Sequence, residues 1–281
     1  MALFDNCILA SDIDGTLLDN GYISPRNIDA IKSFTDNGGF FVLSTGRGIT
    51  AIDQVFAFVD KTLVGPCVVL NGGVIYDFKC SKALFSNELT AQSKEFVNAV
   101  SEHFPAVGIE IHSDLSVYII HKTEATEVHD DYESLEREYV TFSDIKDKPW
   151  NKVLYTCSDE DERTALIEFL AKKDSGDNAF VKTAAEINKI RYFYLEQLPY
   201  GTTKANGLKR LCKILNIKKG GFFAIGDYYN DVEMLSAADI SAVPAEAPED
   251  IKKIANFVGG PCRKGAVADF IEYLSKSEVQ K

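Results

Sequence analysis

The chain has 281 residues, 46% of them hydrophobic and 26% charged, which excludes a disordered chain and suits one large or two ordinary domains. Its net charge of −12 argues against nucleic acid or an anionic membrane as a partner, while a small phosphorylated molecule stays compatible because nearby Lys and Arg act over a short screening length. No run approaches membrane-spanning length, and residues 1–10 lack the basic start and long apolar stretch of a secretory signal.

Cys7 to Ala10 is the first apolar run and reads as a buried strand. It leads through Ser11 into Asp12-Ile13-Asp14-Gly15-Thr16. Extended backbone alternates its faces, so Asp12 and Asp14 are expected on one side. Neighbouring carboxylates repel unless a cation lies between them, and such an oxygen pair suits Mg²⁺, which often brings phosphate with it. Gly15 allows a sharp turn through positive φ. Taken alone, the pentapeptide reads equally well as a strand-ending turn. Asn20-Gly21 predicts a tight hairpin turn. Ser24 and Pro25 open a helix carrying Ile28, Ile31 and Phe34.

The second apolar run, Phe40 to Leu43, leads to Ser44-Thr45-Gly46-Arg47. The third, Cys67 to Leu70, leads to Asn71-Gly72-Gly73. A different pattern follows. Helices are expected over 90–103, 124–137 and 159–172, and strands over 108–111, 116–120, 152–156, 178–181 and 192–195. Ile109, Ile111, Val117 and Ile119 alternate with other residues as in a sheet with one wet face. The expectation is an α+β domain over 83–195, inserted into an α/β core formed by 1–82 and 196–281. Hinges are placed near 80–83 and 190–199, with Pro199-Tyr200-Gly201 as the re-entry turn.

Beyond the insert, Lys204 opens a helix whose apolar face carries Leu208, Leu211, Cys212 and Leu215. Phe222 to Ile225 is the fourth apolar run and leads to Gly226-Asp227-Tyr228-Tyr229-Asn230-Asp231. Residues 275–281 are expected to fray. Runs apolar throughout suit a parallel sheet covered on both faces, and strand–helix alternation implies a doubly wound, mainly parallel, Rossmann-like sheet. Such sheets bind ligands beyond the carboxyl ends of their strands, where all four polar clusters fall. Carboxylates, a hydroxyl and an ammonium would then converge on one edge.

Cysteine and histidine narrow the chemistry. Cys7, Cys67, Cys80, Cys157, Cys212 and Cys262 form no Cys-x-x-Cys pair and read as reduced, buried thiols of a cytoplasmic protein. His103, His112, His121 and His129 all fall mid-chain without a tight ligand spacing. Histidine from the flanking segments therefore supplies neither nucleophile nor base near Asp12.

Asp12-Ile13-Asp14-Gly15-Thr16, Ser44-Thr45-Gly46-Arg47, Gly201-Thr202-Thr203-Lys204 and Gly226-Asp227 through Asn230-Asp231, in this order and spacing, resemble the haloacid dehalogenase superfamily and specifically its Cof-type phosphatases, with the 83–195 insert in that family's second cap position. The resemblance implies an Mg²⁺-dependent phosphatase acting on a small phosphorylated metabolite. Asp12 would attack phosphorus and Asp14 would act as acid and then base. Asp12, the Asp14 carbonyl and Asp227 would hold Mg²⁺. Thr45 and Lys204, with main-chain N–H groups near Ile13 and Gly46, would cradle the phosphoryl oxygens. Asn230 would contact phosphate, and Asp231 would either orient Lys204 or complete the metal's outer shell. Arg47 is either a phosphate ligand or a solvated helix-start arginine. Asn71-Gly72-Gly73 resembles the family's Asn-Gly segment before the cap. Singly, each has a structural reading: Thr45 and the Asn230–Asp231 pair as helix caps, Lys204 as a surface lysine, Asn71-Gly72-Gly73 as a hairpin turn. The chain departs from the family pattern at Pro244, at Glu246-Ala247 and at Lys264. Phosphoryl transfer to a sugar, a phosphoacceptor module and a non-catalytic phosphate-binding protein are the alternatives. Oligomeric state is not legible.

Overall fold

The computed structural model describes residues 2–113, 115–127, 137–187 and 189–278. In chain order the main elements are β1 (Ile8–Ser11), α1 (Pro25–Asp36), β2 (Phe40–Leu43), β3 (Cys67–Val69), β4 (Val74–Asp77), β5 (Lys82–Ser86), α2 (Ala91–His103), β6 (Gly108–Ser113), β7 (Ser116–His121), β8 (Arg137–Tyr139), β9 (Lys152–Cys157), α3 (Glu160–Ala171), β10 (Asn178–Ile187), β11 (Ile190–Pro199), α4 (Lys204–Ile214), β12 (Phe222–Ile225), α5 (Val232–Ala237), β13 (Ile240–Val243), β14 (Phe257–Val258) and α6 (Cys262–Glu278). They form two compact units. The first holds Met1–Arg47, Ile52–Phe85 and Thr203–Lys281; the second holds Gly48–Ala51 and Ser86–Thr202.

The first unit is built on a parallel sheet in the order β14-β13-β12-β1-β2. β1 lies between β12 and β2, with Ser11 level with Ile225 on one side and Leu43 on the other. Residues just past these three strands therefore emerge at the same height. Ile8, Ala10, Val42 and Ala224 pack with Leu208 and Leu211 of α4 and Met234 and Leu235 of α5. Removing each of the Ile, Val, Leu and Met chains from water contributes about 1.5–3 kcal/mol. α1 starts at Pro25, whose missing N–H costs nothing in a first turn, and buries Ile31 and Phe34.

The third apolar run departs from its expected place in the parallel core. β3 joins a three-stranded sheet with β4 and β5, antiparallel to β4, and meets the segment of β2 through the parallel bridge Ser44–Val68 and the hydrogen bond from Thr45 N–H to Val68 O at 2.9 Å. The strand also stops at Val69. Leu70, Asn71 and Gly72 take φ of 51°, 53° and 99°, three consecutive left-handed residues that reverse the chain.

The second unit has a six-stranded sheet in the order β10-β11-β9-β6-β7-β8, antiparallel except where β7 meets β8. One face packs on α2 and α3 through Phe96, Val97, Val100, Leu166 and Leu170, with Trp150 and Tyr155 wholly buried. The opposite face is not wet as the alternation implied. Glu110, His112, Lys152 and Glu196 are buried there, with Lys152 Nζ 3.2 Å from Glu196 and Arg137 3.5 Å from Glu110. The strands read as 178–181 and 192–195 are longer, forming a ten-residue-per-strand hairpin. β11 runs unbroken through Pro199, and the units divide at Phe85/Ser86 and Thr202/Thr203. Of the helix expected over 124–137, residues 128–136, including His129, lie outside the described residues.

All six cysteines are free thiols. Cys80 is exposed and Cys212 half-buried, so burial holds for the other four only. No helix among the described residues is long and apolar enough to cross a membrane.

Candidate active site

The site forms at the carboxyl ends of β1, β2 and β12, all within the first unit. Asp12 follows β1, its N–H donating to Ile225 O at 3.0 Å, and its side chain is buried. Ser44, at the end of β2, donates its N–H to Ser11 O at 2.8 Å and so places Thr45 beside this turn. Beyond Asp12 the chain stops being extended, because Ile13 O accepts from Thr16, Leu17 and Leu18 N–H. Strand alternation therefore no longer sets the direction of Asp14, and the two carboxylates have different partners: Lys204 for Asp12 and Arg47 for Asp14.

Lys204, first residue of α4, is only 2% exposed although lysines are ordinarily at the surface. Thr203 caps the helix by accepting from Asn206 N–H at 3.2 Å. The Lys204 ammonium lies 2.9 Å from Asp12 Oδ1 and 2.7 Å from Asp231 Oδ1. Burial alone would lower its pKa; Asp12 and Asp231 outweigh burial and raise it, so the ammonium stays charged. Asp231 is wholly buried, and its other oxygen accepts the N–H groups of Asp227 and Tyr228 at 3.1 and 3.2 Å. It thus orients Lys204 and fixes the turn carrying Asp227.

Two carboxylates around one ammonium leave surplus negative charge. Burial, followed by repulsion from Asp231, holds the Asp12 carboxyl well above the usual carboxylate range. Burial likewise pushes Asp227 up to about 6, against a Thr16 hydroxyl that donates to its Oδ1 at 2.8 Å. Carboxylate oxygens of Asp12, Asp227 and Asp231 lie within 4.8 Å of one another. An all-oxygen set with excess negative charge is what a hard divalent cation requires, so these residues fit Mg²⁺. Gly15, at φ 76°, brings the backbone against this set: a Cβ there would stand 2.5 Å from Asp227 Oδ2.

Thr45 is buried, and its hydroxyl accepts from Arg47 N–H at 3.1 Å. Its carbonyl accepts from Asn71 N–H at 2.9 Å, and a Cβ on Gly46 would lie 3.2 Å from Asn71 Oδ1. Gly72 lies so close to α4 that a Cβ there would stand 2.1 Å from Thr203 O. Asn71-Gly72-Gly73 is therefore both a chain reversal and the packing surface for the start of the lysine helix. The Arg47 guanidinium, 20% exposed, forks Asp14, Nε to Oδ2 at 2.9 Å and Nη2 to Oδ1 at 2.7 Å. Asn230 is exposed on the turn Tyr229–Asp231, and among the described residues no hydrogen bond ties its side chain to the cluster.

Two supports had no role assigned to them from sequence. The Cys262 thiol, pushed up to about 12 by burial and so protonated, donates to Thr16 O at 3.1 Å. Glu246, one of the departures from the family pattern, accepts Cys262 N–H at 3.1 Å. Their only sequence signal is that departure.

A family model described as haloacid dehalogenase-like hydrolase matches residues 9–271. A Bacillus subtilis protein named 5-amino-6-(5-phospho-D-ribitylamino)uracil phosphatase YwtE is 26% identical over 95% of this chain and 97% of its own length. An Arabidopsis thaliana protein named Endoribonuclease YBEY, chloroplastic, is 26% identical over 92% of this chain, which spans 45% of that protein's length. A crystal structure of a haloacid dehalogenase-like hydrolase from Bacteroides thetaiotaomicron superposes with a TM-score of 0.82, covering 95% of this chain and 99% of that one at 22% identity.

Proposed function

This chain belongs to the haloacid dehalogenase-like hydrolase family, and we propose that it is an Mg²⁺-dependent phosphatase that cleaves small phosphomonoesters through a phosphoenzyme on Asp12. One observation carries the reading: a wholly buried ammonium, Lys204, stands 2.9 Å from the Asp12 carboxylate at the end of the central strand. A buried lysine beside a buried nucleophile candidate is a costly arrangement whose chemical use is to neutralise an incoming anion. The B. subtilis relative, named a phosphatase for a phosphorylated ribitylamino-uracil, supports a small phosphorylated metabolite as substrate.

In this reading Asp12 Oδ bonds to phosphorus as the bond to the leaving oxygen breaks. Asp14 gives its proton to that oxygen. A water then attacks the acyl phosphate, Asp14 takes a proton from it, and phosphate leaves with Asp12 restored. Lys204, the Thr45 hydroxyl and main-chain N–H groups at Ile13 and Gly46 hold the phosphoryl oxygens. Asp231 keeps Lys204 in place. Asp12, the Asp14 carbonyl and Asp227 are the residues that would hold Mg²⁺, which when bound supplies the positive charge that lets Asp12 stay ionised beside an anionic substrate. The 86–202 unit is read as the family's inserted cap, selecting the organic part of the substrate, and the compartment as the cytoplasm.

The test is a phosphate-release screen over many phosphomonoesters, with Mg²⁺ or EDTA, for the native chain and Asp12→Asn. Release is expected only with metal and with Asp12 intact. Release indifferent to both overturns the reading.

A further inference from the structure

The geometry of the Arg47–Asp14 pair is uneven. Asp14 is the exposed member, with 57% of its side chain accessible against 20% for Arg47. Arg47 is the anchored member: its N–H donates to the Thr45 hydroxyl and its carbonyl accepts from Leu70 N–H at 3.0 Å. An exposed carboxylate past the end of a strand has several rotamers, and a two-point guanidinium fork selects one. A lysine would offer a single point of charge and would not fix the carboxylate plane.

We propose that Arg47 is the positioning residue for Asp14, holding the acid–base carboxylate in one orientation rather than binding the phosphoryl group. The inference rests on the phosphatase reading above. It assigns Arg47 no contact with substrate; the guanidinium acts only through the group that hands a proton to the leaving oxygen. Its loss therefore matters in proportion to how much that oxygen needs the proton.

The leaving group provides the test. Alkyl phosphates depart as poor anions and depend on protonation, whereas p-nitrophenolate departs largely unaided. Arg47→Gln and Arg47→Lys are each expected to lower kcat about 100-fold on an alkyl phosphate and about tenfold or less on p-nitrophenyl phosphate, as general-acid loss does. The same bias is expected for Asp14→Asn. In the Asp14→Asn background, adding Arg47→Gln is expected to change kcat by less than about twofold, because the two residues work as one unit. Circular-dichroism melts establish that each variant is folded, and having both Gln and Lys variants guards against one that is not.

Equal losses on both substrates, a rise in KM without a fall in kcat, full activity in Arg47→Lys, or additive effects in the double variant would each overturn the inference. If the native chain and Asp12→Asn behave as the phosphatase reading requires, those outcomes sink the Arg47 assignment alone. An inactive native chain sinks both.

Discussion

Asp231 accepts the Lys204 ammonium at 2.7 Å, and both side chains are essentially without solvent contact. The pair joins the start of α4 to the turn after β12, 27 residues further along, and it decides where the buried Lys204 charge stands. Because the same carboxylate also receives two main-chain N–H groups, it ties the lysine helix to the turn after β12. Replacing Asp231 with Ala leaves Lys204 paired with Asp12 alone and two main-chain N–H groups without their acceptor. A loss of about 1–3 kcal/mol is expected from the orphaned donors, read as a lower midpoint in urea denaturation together with loss of phosphatase activity.

Asp227 gives the metal-free protein an unusual pH dependence. Its folded-state pKa is about 6 against an ordinary 3.8, raised chiefly by burial. Between those values the folded state holds a proton that the unfolded state has released, so this group's contribution to stability falls as pH rises from about 4 to about 6. In EDTA, Asp227→Asn should be more stable than the native chain by on the order of 1 kcal/mol near pH 7.5, with no gain near pH 3.5. Saturating Mg²⁺ should reverse the order at neutral pH. Denaturation at the two pH values, with and without metal, checks all three signs.

Thr16 supports that carboxylate from behind. Its buried hydroxyl donates to Asp227 Oδ1 at 2.8 Å. Thr16→Val keeps the shape and removes the donor. Mg²⁺ binding, measured by titration calorimetry, should weaken about tenfold, the usual cost of losing a hydrogen bond that orients a metal ligand.

Gly72 is the tightest approach in the first unit. At φ 99°, with Thr203 O only 2.1 Å from where a Cβ would sit, Gly72→Ala has neither the conformation nor the room. The backbone must move, and what moves is the start of α4 with Lys204 on it. A loss of about 1–3 kcal/mol is expected from the strained φ alone. A fall in kcat beyond that of a matched stability loss elsewhere would show the helix start shifting.

Much of the site was legible because its residues stand immediately beyond apolar runs, where a parallel sheet presents side chains to ligands. Asp12, Thr45 and Asp227 follow β1, β2 and β12, and register places them at one height. The partner of Arg47 was not legible, because the chain curls after Asp12 and strand alternation no longer says where Asp14 points. The third apolar run misled for a related reason: being uniformly apolar says a strand is covered on both sides, not which sheet it joins. The β10–β11 hairpin ran past its expected ends because Lys182, Thr183 and Glu186 carry no apolar signal, while cross-strand pairing holds them extended all the same. The polar face of the second unit looked solvated from alternation alone, yet its charges are buried in pairs, which spacing within one strand does not reveal.

The central position of β1 has a cost during synthesis. Its β2 neighbour is made soon after it, but Ile8 to Ser11 must wait for Phe222 to Ile225 before the other flank is covered. Until the ribosome has translated the whole 86–202 unit, the nascent strand leading to Asp12 carries a bare hydrogen-bonding edge. A chaperone that shields that edge co-translationally would raise the yield of native enzyme, and slow translation through the middle of the message would lower it.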